Sequence, residues 1–178
     1  MHQEIIKFWF EDSDRSRWFK KDKNYDSLLK SKFSDVHSQA TKGELFSWRK
    51  TPLGMLAEII VLDQFSRNIY RGKPESFTYD SLALILAQSA IAGDYDLQLS
   101  CEQRLFLYMP FMHSESLLIH EEALILYTRL GIKDSIEFEN RHKIIIEKFG
   151  RYPHRNAILG RTSTEEEIKF LTQAGSGF

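Results

Sequence analysis

The stretch Thr51-Pro52-Leu53-Gly54-Met55-Leu56-Ala57-Glu58-Ile59-Ile60-Val61-Leu62-Asp63-Gln64-Phe65-Ser66-Arg67 decides the fold. Thr51 offers a hydroxyl to cap free amides, and Pro52 suits the first helical position, where a missing N–H costs nothing. From there Leu56, Ile59 and Ile60 recur at helical spacing, and further steps along the same stripe reach Asp63 and Arg67. The predicted helix therefore carries a carboxylate and a guanidinium on its apolar face. Such a pair is either a partly buried structural ion pair or part of an active site.

The same signals recur on both sides. Tyr25, Leu28, Leu29, Phe33, Val36 and Ala40 mark one face of a helix ending near Gly43. Residues 79–92 are apolar on nearly every side, which predicts a central buried helix stopped by Gly93. Ser100 and Gln103 have capping-box spacing and open a helix that should end near Met109, because Pro110 removes a donor and disfavours helix before it. Ser114 is placed to cap a fresh helix reaching Gly131. Asp134 and Glu137 form a second box for a helix closed by Gly150, and Ser163-Thr164 with three following glutamates opens the last one. The tail from Gly175 frays unless Phe178 docks. No alternating run is long enough for a strand. The expected fold is all-α: one domain over residues 1–178, an array of about eight helices packed as antiparallel hairpins.

The chain has 178 residues, 42% hydrophobic and 28% charged, with 24 Lys plus Arg against 25 Asp plus Glu. That is globular composition without a global basic field, so nucleic acid and acidic membrane surfaces are not expected partners. The longest apolar stretch, Leu105 to Met112, is far below the roughly 20 residues a membrane span needs. The N-terminus lacks the basic-then-apolar order of a signal peptide, and one cysteine, Cys101, fits a reducing compartment. The cytoplasm is the expected location. A lone thiol such as Cys101 usually packs as a small apolar group. Trp9, Trp18 and Trp48, with Phe8, Phe10 and Phe19, are expected as core anchors.

Three regions concentrate polar chemistry. The first is the Asp63/Arg67 helix end, followed by Asn68, Tyr70 and Arg71. The second straddles Pro110: Glu102 shares a stripe with Phe106 and Met109, and His113, Glu115 and His120 follow the break. His113 there suits a neutral base and Glu115 a partner or second acid/base. Two histidines seven apart are too far for a compact zinc pair, so no metal and no cofactor is predicted. The third runs from Arg141 to Arg161, where Arg141, Lys143, Lys148, Arg151, Arg155 and Arg161 face one acid, Glu147, an excess of five positive charges. His154, Asn156 and the amides opening the last helix add donors suited to a phosphate or carboxylate. The competing explanation is that these arginines cap helix ends and pair with Asp63, Glu102 and Glu115.

Several motifs carry a resemblance. Phe8-Trp9-Phe10, Leu62-Asp63-Gln64-Phe65-Ser66-Arg67-Asn68, Tyr108-Met109-Pro110-Phe111-Met112-His113-Ser114-Glu115 and Phe149-Gly150-Arg151-Tyr152-Pro153-His154-Arg155-Asn156 resemble, in order, a bacterial family known as a domain of unknown function, serial number 924. Leu159-Gly160-Arg161 with Ser163, Thr164 and Glu166 looks like its closing signature. The resemblance implies an all-helical, tetratricopeptide-repeat-like fold without a readable repeat consensus. It implies no reaction, substrate, cofactor or catalytic residue. His120 stands where many members are expected to carry glutamine.

Two functions are compatible with these residues. One is a pocket for a small anionic ligand, with Arg67, Arg71, Arg151, Arg155 and Arg161 supplying charge and Asn68 and Asn156 orientation. If catalytic, as in a hydrolase of a phosphorylated or carboxylated metabolite, His113 or His154 would be the acid/base and Glu115 its counterpart. In both, Asp63 and Glu102 would be structural ion pairs. The other is a module that binds a peptide on a concave helical face. Oligomeric state is not encoded legibly.

Overall fold

The structure, a computed structural model, describes residues 1–177. Their regular structure is entirely helical, without a strand. The helices are α1 (His2–Lys7), α2 (Lys23–Thr41), α3 (Pro52–Ile60), α4 (Ser66–Ile69), α5 (Asp80–Ala92), α6 (Cys101–Met112), α7 (Leu117–Leu130), α8 (Lys133–Phe149) and α9 (Glu165–Leu171). A π-helical turn, Val61–Phe65, joins α3 to α4 without a break, so the described residues hold eight principal helical runs. They group into two compact units, Met1–Arg71 with Glu75–Pro110, and Gly72–Pro74 with Phe111–Phe178. The docking of Phe178 lies outside the described residues.

In the first unit, α3 packs on α1 and α5, and α2 on α4. Thr51 Oγ1 accepts from Gly54 N at 3.2 Å and Pro52 takes the first turn, as the sequence requires. Every residue from Gly54 to Ser66 is buried, including Glu58, Asp63 and Gln64. The central buried helix is therefore the α3–α4 run and not α5. On α5 only Ala83, Leu86, Ala87 and Ala90 are buried, and Ile85 is 56% exposed. The aromatic core stacks Phe33 on Phe65 and sets Trp9 edge-on to Phe106. Trp18 and Phe10 pack beside it, whereas Phe19 is 70% exposed and is no anchor. Glu58, fully buried, takes both Nε and Nη2 of Arg49 at 2.7 and 2.6 Å.

The Ser100–Gln103 box is present, with Gln103 N donating to Ser100 Oγ and Ser100 N to Gln103 Oε1. Cys101 is exposed at the first residue of α6, not packed. The break expected at Pro110 does not occur: α6 runs through it to Met112. Proline removes one ladder bond, but residues 106–112 are all buried, and that packing outweighs the local loss.

The second unit is built on the α7–α8 hairpin, closed by left-handed Gly131, which lets the chain reverse in two residues. The cap of α7 falls at Ser116, not Ser114. Residue Ile132 precedes α8, so Asp134 and Glu137 form no box. Gly150, also left-handed, ends α8 as predicted, and Thr164 with Glu167 closes a full capping box on α9. Ile145, Ile146 and Tyr152 form the core here, with Phe149 and Phe170 against it.

Candidate functional site

In the first unit, the π turn places Asp63 inside the core and Arg67 one turn beyond. Arg67 Nη1 donates to the Asp63 carbonyl at 2.9 Å and lies 3.1 Å from its Oδ1. The same guanidinium holds Asp80 through both nitrogens at 2.9 and 3.0 Å. Gln64 Nε2 donates to Asp63 Oδ2 at 2.5 Å. Asn68 and Arg71 converge on Asp26, with Arg71 Nε at 2.6 Å and Asn68 Nδ2 at 2.9 Å. These three residues, expected to bind a ligand, hold carboxylates of the chain itself. Glu102 pairs with Arg15 at 2.9 Å, both substantially solvated.

In the second unit the constellation is centred on Tyr152, which is completely buried. Its amide donates to Glu115 Oε1 at 2.8 Å, and its carbonyl accepts from Arg161 Nη2 at 3.1 Å. Arg161 also grips Glu115 through Nη1 and Nη2 at 2.6 and 2.9 Å, and its Nε donates to Asn156 Oδ1. The Arg155 guanidinium lies 4.5 Å from the Tyr152 ring centroid, and its Nη2 donates to the His113 carbonyl at 3.0 Å. His120, His142 and His154 pack their rings around the same tyrosine at centroid distances of 6.2, 5.7 and 5.5 Å. Residues 113–115 and 151–161 thus meet within one unit.

Electrostatics differ sharply across this cluster. Burial alone would raise the Glu115 carboxyl, but the Arg161 bonds, the Tyr152 amide and the Arg155 charge outweigh it and hold Glu115 below its usual value. It is a fixed anion with both oxygens engaged. Burial drives His142 down to about 3, although its bond to the Phe138 carbonyl opposes this. The imidazoles of His113, His120 and His154 are near enough to lower it further. His113 and His154 are half-buried. Arg151 stands outside the core of the cluster, bonded to Glu167 at 2.7 and 2.8 Å and holding that carboxyl at about 2.

Sequence reasoning found His113, Glu115, His154, Arg155, Asn156 and Arg161 but missed Tyr152, His142 and Glu139. The signal for the last two was present: Ser135, Glu139, His142 and Ile146 repeat at helical spacing along the buried face of α8. Among the described residues, no group of three His, Cys, Asp or Glu is arranged to hold a metal ion. No described helix is long and apolar enough to cross a membrane.

Fold and site define an all-α protein whose second unit gathers imidazoles and guanidiniums around one buried tyrosine. The chain belongs to the family described as bacterial protein of unknown function (DUF924), which it matches over residues 5–175. It is also similar to the protein of unknown function ATU0120 from Agrobacterium tumefaciens, at 35% identity over 96% of each chain and a TM-score of 0.91. Comparison with curated proteins gives no match.

Proposed function

We propose that the chain binds a small anionic molecule, bearing a phosphate or carboxylate, where His113, His154, Arg155 and Arg161 surround Tyr152. The observation that carries this is the convergence on buried Tyr152 of the half-buried His154 imidazole and the Arg155 guanidinium at its ring and of the Arg161 guanidinium at its carbonyl, with Arg155 also bonded to the His113 carbonyl. Arg161 is shared with Glu115, so an incoming anion competes with a carboxylate already in place and binds by exchange rather than into a bare positive pocket. If a hydrolytic step follows, His113 or His154 handles the proton. Glu115, ionised and doubly bonded, orients guanidinium and backbone rather than exchanging protons. Arg67, Asn68, Arg71 and Arg151 drop to structural roles in this proposal.

Inorganic phosphate should raise the melting temperature by binding the folded state, about 2.7 kcal/mol at a hundredfold excess over Kd. Arg155→Ala should abolish the shift, and His154→Gln, at a more exposed position, should weaken it. A wild-type protein indifferent to phosphate and to phosphorylated metabolites sinks the proposal. It would put the peptide-binding module ahead, which the exposed Leu118 and Ile125, one heptad apart on α7 at 66% and 46%, already favour.

A further inference from the structure

His120 and Glu139 are both fully buried, on α7 and α8, and their Nδ1 and Oε1 atoms lie 2.6 Å apart. The bonds on the other side of the ring fix its tautomer. His120 Nε2 is 2.9 Å from the Ser114 carbonyl, which only accepts. It is also 3.2 Å from the Tyr152 hydroxyl, whose own proton goes to the Met112 carbonyl at 2.6 Å. Nε2 must therefore carry a hydrogen. That leaves one proton for the short Nδ1–Oε1 contact. Glu139 Oε2 is buried without a hydrogen-bond partner. An ionised carboxylate with one oxygen bare in the core is far costlier than a carboxylic acid with a bare carbonyl.

We infer that Glu139 is a carboxylic acid that donates its proton to neutral His120, and that this pair is the positioning device of the Tyr152 site. The Nε2–H it enforces ties the Ser114 carbonyl to the Tyr152 hydroxyl. Those are the two segments that carry His113 and Glu115 on one side and His154 and Arg155 on the other. The positioning half rests on the proposed anion site; the protonation half does not. Burial also pushes the Glu139 carboxyl up, against the opposing pull of His120 and Lys143. The other titratable groups facing the pair are His142 on α8 and Tyr152 after α8, and His113 and His154 in turn act on His142.

Infrared spectroscopy at neutral pH should show a carbonyl band of a buried protonated carboxylic acid that disappears in Glu139→Gln. A carboxylate band in its place overturns the assignment, because the pair would then be an imidazolium and an anion. Above neutral pH, folding should take up one proton more in the wild type than in Glu139→Gln, and equal uptake likewise overturns it. For the positioning role, His120→Gln keeps an N–H for Ser114 and should retain slow exchange of the Tyr152 amide and the phosphate-induced rise in melting temperature. His120→Leu should lose both. Retention of Tyr152 protection in His120→Leu overturns the positioning role whether or not phosphate binds. If the leucine variant does not fold, failure of His120→Gln to keep that protection overturns it.

Discussion

Arg67 answers two carboxylates at once, and that decides which substitution hurts most. Asp63 retains the Gln64 amide when the guanidinium is lost, and Asp80 remains partly hydrated, yet Asp63 is almost wholly desolvated. Arg67→Ala therefore leaves a buried carboxylate without its cation and should cost on the order of 3 kcal/mol. Asp63→Asn keeps a polar side chain in place and leaves Arg67 bonded to Asp80, so it should cost clearly less. Urea unfolding of the two variants checks the order; equal costs would mean that Asp63 is solvated. The Asp63–Arg67 pair was legible because both partners sit on one helix. Asp80 and Asp26 were not, since they reach Arg67 and Arg71 from 13 and 45 residues away and nothing local marks them. Tyr152 was missed for the same reason: its importance lies in what converges on it.

Within elements, terminal signals proved more legible than interiors. Thr51-Pro52, Ser100–Gln103, Gly150 and the glutamates after Thr164 all act as their chemistry requires, because a cap is settled within four residues. The π turn at Val61–Phe65 was invisible, since every residue from Gly54 to Ser66 is buried and a run with no exposed face has no periodicity for one inserted residue to shift. Pro110 misled in the other direction, because a local penalty was overridden by burial on both sides. Gly54 shows how far an element's own preference can be reversed. Helix propensity alone says Gly54→Ala should stabilise α3 by about 1 kcal/mol. A Cβ there would sit 2.1 Å from the Trp48 carbonyl oxygen and 2.9 Å from Thr51 Oγ1, inside contact distance of backbone that cannot swing away. Gly54→Ala should instead destabilise, on the order of 2 kcal/mol, as overpacking does. A thermal melt showing a stabilised variant would mean that the turn before α3 relaxes freely.

For the whole molecule, the buried histidines set how stability depends on pH. Burial holds His37 down at about 4 in the first unit and His142 at about 3 in the second, against an ordinary value of 6.5 in the unfolded chain. The folded state refuses protons that the unfolded state accepts. The contribution of these two histidines is therefore complete above pH 6.5 and is lost as the pH falls, over the window from 6.5 to 4 for His37 and to 3 for His142. Each histidine contributes a slope of up to about 1.4 kcal/mol per pH unit. The carboxyls held low, Glu115 and Glu167, add to the loss only below their ordinary value of 4.5, so they leave the upper window to the imidazoles. On the alkaline side the His120–Glu139 pair acts with the opposite sign. Folded, it holds one proton more than a neutral histidine and an ionised glutamate do when unfolded, so its contribution declines as the pH rises past 6.5. The two effects place maximum stability near neutrality rather than at an acidic optimum. Denaturant unfolding between pH 5 and 6.5 should show the acid slope in the wild type and its near-disappearance in a His37→Gln, His142→Gln double variant, whatever that variant's stability at pH 7. An unchanged slope would mean that both imidazoles reach water in the folded protein.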